Sequence, residues 1–295
     1  MIKIQCPAKV NLFLEVTGKR PDGYHTLATL FAKINLYDVL EFEAARCGVS
    51  LEICAEEGVR LSAGPDNLVC RAAQAFLKAF RLEGGAKIRL IKRIPMGAGL
   101  GGGSSDAAGT LLGMAKLFEV RLDAKKRAVL KRLAASLGAD VPFFLHPAPF
   151  CVGKGIGDIL TPVRIPQSLP YMVLAYPGLH VSTPDAYRAL TRPSRSAVLT
   201  RLSHLDRLIR SLKRGRPVEE WEGLLFNRLE TAALPVMAQV EQARKVLSHL
   251  GLRGARMSGS GSSVFAFAQT HPQAEAALKR LKGYPWKAYV TSCQG

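Results

Sequence analysis

The sequence predicts an α+β protein of two domains, with mixed or antiparallel sheets and helices packed on them. Three observations carry that expectation. Alternating apolar and polar runs fill residues 1–60, helical periodicity begins only after residue 65, and strands interleave with helices in both halves of the 295-residue chain. Gly153, Gly155 and Gly157, followed by TPVRIPQSLP at 161–170, mark a shift in composition that places the domains at 1–160 and 161–295.

In chain order, KIQCPAKVNLFLEV, VLEFEAA and VSLEICAEE read as strands, separated by turn chemistry in RPDGY, ARCG and EEG. PDNLVCRAAQAFLKAFRLEG, 65–84, offers Asp66 as an N-cap ahead of apolar residues at helical spacing, with Gly84 and Gly85 as the stop. KIRLIKRIP, 87–95, alternates charged and apolar residues in a strand that runs straight into PMGAGLGGGSS, 95–105. Helices are expected near 104–119 and 123–137, and then comes GADVPFF, where Asp140 before Val141 and Pro142 reads on its own as a helix N-cap. YMVLAYPG opens the second half as a strand. The segment 191–217 carries eight Lys or Arg against one Asp, and its apolar Val198, Leu202, Leu205, Leu208, Ile209 and Leu212 fall at helical spacing. It reads as a basic amphipathic helix with a solvated outer face. ARMSGSGSSVFAFAQ is a strand–turn–strand or strand–turn–helix around a second glycine–serine run.

Composition narrows the function classes. Hydrophobic content of 48% suits a globular protein, and no apolar window is long enough to span a membrane. The opening residues lack the basic-then-apolar pattern of a secretory signal, so a cytoplasmic location is expected. Cysteines 6, 47, 54, 70, 151 and 293 form no CxxC and have no histidines at zinc-site spacing; they read as small reduced core residues, and no transition-metal site is expected. The net charge of +18 admits nucleic-acid binding, attraction of small anions, or a well-solvated surface.

Five glycines in the eleven residues 95–105 contribute nothing to packing and are costly to order. The order strand, glycine loop, helix gathers backbone N–H groups and a positive helix end into one concavity, which binds phosphate. Pro95, Met96, Gly97, Ala98, Gly99, Leu100, Gly101, Gly102, Gly103, Ser104 and Ser105 form this candidate cradle. The GxGxxG at 97, 99 and 102 does not make a dinucleotide fold, because one helix follows another. The run ends in GSSD and not GK[ST], and neither HRD nor DFG occurs, which sets aside Walker and protein-kinase loops. Asp106 would repel a nearby phosphate; it either turns away to cap the helix or helps to hold magnesium.

PMGAGLGGGSSDAA resembles the second signature of the GHMP kinases, and PAKVNLFL and MSGSGSSVFAF resemble two further segments of that family in the same order. GKRPDGYHTLATLF at 18–31, with GADVPFF and GDILTPV, is similar to the members that act on a cytidine diphosphate ester in the non-mevalonate isoprenoid route. The resemblance implies a two-domain GHMP-kinase-like fold and ATP-dependent phosphorylation of an alcohol with Mg²⁺. The alternative is another GHMP small-molecule kinase, acting on mevalonate, homoserine or a sugar. By the same resemblance Lys9 and Asp140 are the catalytic pair, the carboxylate taking the hydroxyl proton and the ammonium polarising that hydroxyl. Asn11 lines the substrate site; Tyr24, His25 and Tyr187 hold the cytosine, with Thr183 nearby; Gly259 and Gly261 belong to a carboxyl-terminal loop that closes on the phosphates. The chain departs from the pattern in SGSG, where threonines are common, and at Lys154, where an acidic residue is often found. The implied partners are ATP and a cytidine diphosphate ester, with no nucleic acid, no membrane, and a monomer or weak homodimer.

Overall fold

The computed structural model describes residues 1–55, 61–191, 193–232 and 234–295; the turn expected in EEG and Arg192 of the basic segment lie outside them. The chain forms two compact units that interleave along the sequence: Met1–Ala8, Leu36–Pro95 and Gly101–Pro147 make the first, and Lys9–Asn35, Met96–Leu100 and Ala148–Gly295 the second. β1 (Ile2–Lys19) and β2 (His25–Ala45) run for 18 and 21 residues, and each supplies residues to both units.

The first unit adds β3 (Gly48–Ala55), α1 (Leu68–Phe80), β4 (Gly85–Lys92), α2 (Gly102–Leu117), α3 (Ala124–Leu137) and α4 (Val141–Leu145). β4 lies between β3, which it pairs in parallel from Gly48↔Gly85, and the end of β2, which it pairs antiparallel from Val39↔Ile91. Leu40, Phe42, Ile88 and Leu90 alternate onto the buried face, as a half-covered sheet requires. α1 starts one residue later than expected, because Asn67 and not Asp66 accepts the Val69 N–H, at 2.9 Å. It also stops before the glycines, with Arg81 in the left-handed conformation returning its N–H to Leu77 and Lys78. Asp123 caps α3 through the Lys126 N–H at 2.8 Å.

A buried ion triad fixes the entry into the glycine run within this unit. Lys92, the last residue of β4, places its ammonium 2.5 Å from Asp38 Oδ2 and 2.7 Å from Asp106 Oδ2. The other oxygen of Asp38 accepts the N–H groups of Arg93 at 2.6 Å and Ile94 at 2.9 Å. One side chain on β2 thereby holds the backbone leaving β4, and one on β4 holds the first turn of α2. A β-carbon on Gly102 would stand 2.9 Å from the Lys92 Nζ, so the ammonium lies against the start of that helix. Burial opposes the charge on Lys92, but Asp106 and Asp38 overcome it and raise its pKa. Burial pushes the Asp106 carboxyl up to about 7, against the pull of Lys92 and with the repulsion of Asp38.

The second unit adds β5 (Phe150–Lys154), β6 (Ile159–Pro162), β7 (Tyr171–Tyr176), α5 (Thr183–Arg188), α6 (Arg195–Lys213), β8 (Phe226–Asn227), α7 (Met237–His249), β9 (Arg253–Met257), β10 (Val264–Ala268), α8 (His271–Leu281) and β11 (Lys287–Thr291). An antiparallel sheet of order β11-β7-β10-β9 packs Val173, Ala175, Val264 and Ala266 against Leu247 of α7 and Leu281 of α8. The early part of β2 pairs with β5, from Thr29↔Gly153, and β1 runs parallel to β8 at Phe13↔Phe226 and Leu14↔Asn227. ARMSGSGSSVFAF resolves as strand–turn–strand, β9 to β10. In the basic segment α6 buries Val198, Leu205, Leu208 and Leu212 and leaves Arg195, Arg207, Arg210 and Lys213 exposed.

Lys92→Met should leave two buried carboxylates unpaired and lower unfolding stability by about 3–5 kcal/mol in urea titrations; a loss under about 1 kcal/mol would contradict the triad's role. Asp106 has a folded pKa above its unfolded one, so its stabilising contribution is complete at low pH and is lost as pH rises toward 7. The stability of the wild type relative to Asp106→Asn should therefore fall between pH 4 and 7, by at most about 1.4 kcal/mol per pH unit, and level off above. Parallel pH profiles of the two proteins would contradict the assignment.

Candidate active site

Lys9 and Asn11 share one face of β1, as alternate residues of a strand must. Lys9 is only 4% exposed, yet its ammonium donates to Asn11 Oδ1 at 2.6 Å. Asn11 Nδ2 in turn donates to Thr29 Oγ1 at 2.8 Å, and that hydroxyl donates to the Phe13 carbonyl at 2.6 Å. The Phe31 ring centroid lies 5.7 Å from the ammonium, a cation–π distance. Thr29 is therefore a site residue that the sequence did not single out; it sits inside the apolar run TLATLF, and only the pairing of β1 with its neighbours reveals its partner.

The part of the glycine run that belongs to the second unit turns its carbonyls inward. Met96 O accepts from Tyr176 Oη at 3.1 Å, Gly97 O from Val181 N at 3.2 Å, Ala98 O from Ser263 N at 3.2 Å, Gly99 O from Ser258 Oγ at 2.9 Å, and Leu100 O from Lys9 N at 2.9 Å. Among the described residues the N–H groups of Gly97, Ala98, Gly99 and Leu100 donate to nothing. A row of engaged carbonyls with unengaged amides is the arrangement an anion requires. Gly99 has φ 75°, and a β-carbon there would lie 2.0 Å from the Ser258 carbonyl oxygen. No other residue type fits this position.

The second glycine loop meets the first backbone to backbone. A β-carbon on Gly259 would stand 2.8 Å from Gly99 O and 3.1 Å from Lys9 Nζ. Gly261 closes a tight turn, its N–H donating to Ser258 O at 2.9 Å. Thr183 Oγ1 lies 3.0 Å from Ser260 Oγ, and Ser262 Oγ donates to Leu179 O at 2.6 Å. Thr183 therefore meets this loop. Four residues further along α5, the Tyr187 ring stacks on His25, with centroids 5.3 Å apart and planes 20° apart. Partial burial, with Lys19 nearby, lowers the His25 pKa below its ordinary value, which favours the neutral ring with one donor and one acceptor. Tyr24 does not join the stack: its ring is 61% exposed, and its N–H donates to Asp22 Oδ1 at 3.1 Å.

In the first unit, Gly101 is the N-cap of α2 with φ 70° and no side chain caps the helix. Ser104 and Ser105 thus do not cap it, and neither does Asp106, which pairs with Lys92 instead. Ser105 Oγ and Asp106 Oδ1 are buried oxygens with no hydrogen-bond partner. The first N–H groups of α2 add the usual unpaired donors and positive end of a helix. Asp140 occupies the N-cap position of α4, but its carboxylate makes no capping hydrogen bond, so the N-cap role read from its neighbours is not what this side chain does. The turn that carries it abuts α2: a β-carbon on Gly138 would lie 3.9 Å from Ser104 Oγ. Among the described residues no group of three or more His, Cys, Asp or Glu could hold a metal ion, and no helix is long and apolar enough to cross a membrane. The six cysteines are free, four of them buried and Cys47 exposed.

Residues 67–147 match the GHMP kinases N terminal domain, and residues 205–285 the GHMP kinases C terminal domain. A 4-diphosphocytidyl-2-C-methyl-D-erythritol kinase of Citrifermentans bemidjiense is 38% identical over 291 residues, covering 97% of each chain. One from Thermus thermophilus is 39% identical over 281 residues, covering 94% of this chain and 92% of that protein. A crystal structure of 4-(cytidine 5'-diphospho)-2C-methyl-D-erythritol kinase superposes with a TM-score of 0.79 at 37% identity, covering both chains completely. A homoserine kinase structure from Cytophaga hutchinsonii, at 20% identity and TM-score 0.76, shares the fold. The chain belongs to the GHMP kinases and, within them, to the family of 4-diphosphocytidyl-2-C-methyl-D-erythritol kinases.

Proposed function

We propose that this kinase transfers the γ-phosphate of ATP to the 2-hydroxyl of 4-diphosphocytidyl-2-C-methyl-D-erythritol, in the non-mevalonate route to isoprenoid precursors. The observation that carries the reading is the unengaged row of amides at Gly97–Leu100. These donors bind the phosphates of ATP with no side-chain charge of their own. The His25–Tyr187 pair supports a substrate with an aromatic base, which mevalonate, homoserine and sugars lack.

In this mechanism the protein contributes position and charge, as phosphoryl transfer requires. Lys9, held by Asn11 and Thr29, presents its ammonium to the reacting hydroxyl and to the charge that develops on the transferred phosphoryl group. Asp140, at the start of α4, accepts the hydroxyl proton. The loop Gly259–Gly261 covers the phosphates. Ser105 Oγ and Asp106 Oδ1, buried oxygens without a hydrogen-bond partner among the described residues, would hold a magnesium ion, which would supply neutralisation of phosphate charge. Tyr187 stacks on the cytosine, and the neutral His25 hydrogen-bonds its edge. The +18 net charge raises encounter rates with two polyanionic substrates, an effect that fades with salt.

Asp140→Asn should lower kcat by about 10²–10⁴-fold while ATP still binds in calorimetry; near-normal turnover would remove Asp140 from the chemistry. Gly99→Ala should weaken ATP binding by about tenfold or more, equivalent to about 1.4 kcal/mol, and unchanged affinity would unseat the amide cradle. Tyr187→Ala should raise KM for the cytidine substrate about tenfold and leave KM for ATP unchanged, since base–aromatic stacking is worth about 1–3 kcal/mol. The opposite pattern would place the base elsewhere.

A further inference from the structure

The segment Phe226–Glu230 lies outside every residue assigned above, yet it touches both the strand that carries Lys9 and the loop that carries Gly259. β8 runs parallel to β1, with Leu14 opposite Asn227. Asn227 is 1% exposed, and all of its hydrogen-bonding hydrogens are committed. Its Oδ1 accepts the Leu229 N–H at 3.0 Å, which fixes the amide orientation and turns both Nδ2 hydrogens toward carbonyls. They go to Met257 O and Gly259 O, each at 2.8 Å. From the same segment Glu230 Oε1 accepts the Met257 N–H at 2.7 Å, and Arg228 forms a two-bond pair with the buried Glu15 of β1 at 2.7 and 2.6 Å.

From this geometry we infer that Asn227 is a positioning residue for phosphoryl transfer: its amide sets the height of the Ser258–Gly261 loop over Lys9 and Gly99. The inference rests on the proposed role of that loop. Two carbonyls two residues apart are drawn to one amide, which pulls the chain at Met257–Gly259 into the conformation that brings the Gly259 α-carbon against Gly99 O and Lys9 Nζ. Glu230 fixes the strand end on its other side, so the loop cannot relax by sliding β9. Arg228 and Glu15 hold the support itself to β1. Asn227 touches no reacting atom in this arrangement and acts only through the loop.

Asn227→Ala removes both donors, and Asn227→Asp replaces them with an acceptor facing two acceptors. Each purified variant is assayed beside the wild type for kcat, for KM with ATP and with the cytidine substrate, and for its thermal midpoint, well below that midpoint. The expected result is a kcat at least about tenfold lower per folded molecule, with KM for the cytidine substrate within about twofold of wild type, because His25 and Tyr187 are not supported by Asn227. Unchanged kcat with a lowered midpoint would overturn the inference, since that is the signature of a purely structural residue. Failure of both variants to fold would overturn it equally. Absence of turnover by the wild type would instead defeat the proposed function, so the two failures are told apart.

Discussion

The buried triad of Asp38, Lys92 and Asp106 is the constraint on which the first unit's part of the site depends. One ammonium between two carboxylates leaves an excess of negative charge in a place water does not reach, and such charge persists only when geometry and hydrogen bonds compensate it. Here the compensation is complete on one side, where Asp38 also takes two backbone N–H groups, and incomplete on the other, where one oxygen of Asp106 has no partner. Burial, with the repulsion of Asp38 and against the pull of Lys92, raises the Asp106 pKa. The structural yield is that the end of β4 and the first turn of α2 cannot move independently, which keeps the donors at the helix start in place before any ligand arrives. Preorganised donors of this kind account for most of what a protein supplies to phosphoryl transfer.

In the second unit the same end is reached without ions. Five consecutive carbonyls are tied down by a tyrosine, a serine and three backbone N–H groups, and the amides of the loop are left over. The second glycine run approaches so closely that neither loop has room for a β-carbon where they meet. Glycine is therefore required twice for a steric reason, at Gly99 and at Gly259, and the unengaged amides are a consequence of where the carbonyls are sent.

Much of this could be read from the amino acids. The strand, glycine loop and helix around 87–119 are strong local patterns, and the residues proposed to bind phosphate lie within one short stretch, so spacing alone singles them out. The resemblance implies His25, Tyr187 and Tyr24 as base-binding residues, and the structure stacks His25 on Tyr187 while leaving Tyr24 outside the stack. Lys9 and Asp140, 131 positions apart, have no periodicity or spacing that connects them. What the sequence could not disclose depends on long-range pairing: Thr29 behind Asn11, Asn227 beneath the second loop, and Lys92 as the partner of Asp106 in place of a helix cap. Strand length was hidden for a related reason. KIQCPAKVNLFLEV read as one strand covers most of β1, but VLEFEAA marks only the end of β2, because the near-continuous apolar run before it carries no alternation.

The central claim is that the amides from Gly97 to the first turn of α2 grip the phosphates of ATP. Backbone amide NMR of the full chain, with and without a non-hydrolysable ATP analogue and Mg²⁺, tests it most directly. The account predicts large downfield proton shifts and slowed hydrogen exchange for Gly97, Gly99, Gly101, Gly102 and Gly103 on analogue binding, as free donors acquire a charged acceptor. Saturating analogue that leaves these resonances in place, while shifting others, would contradict it.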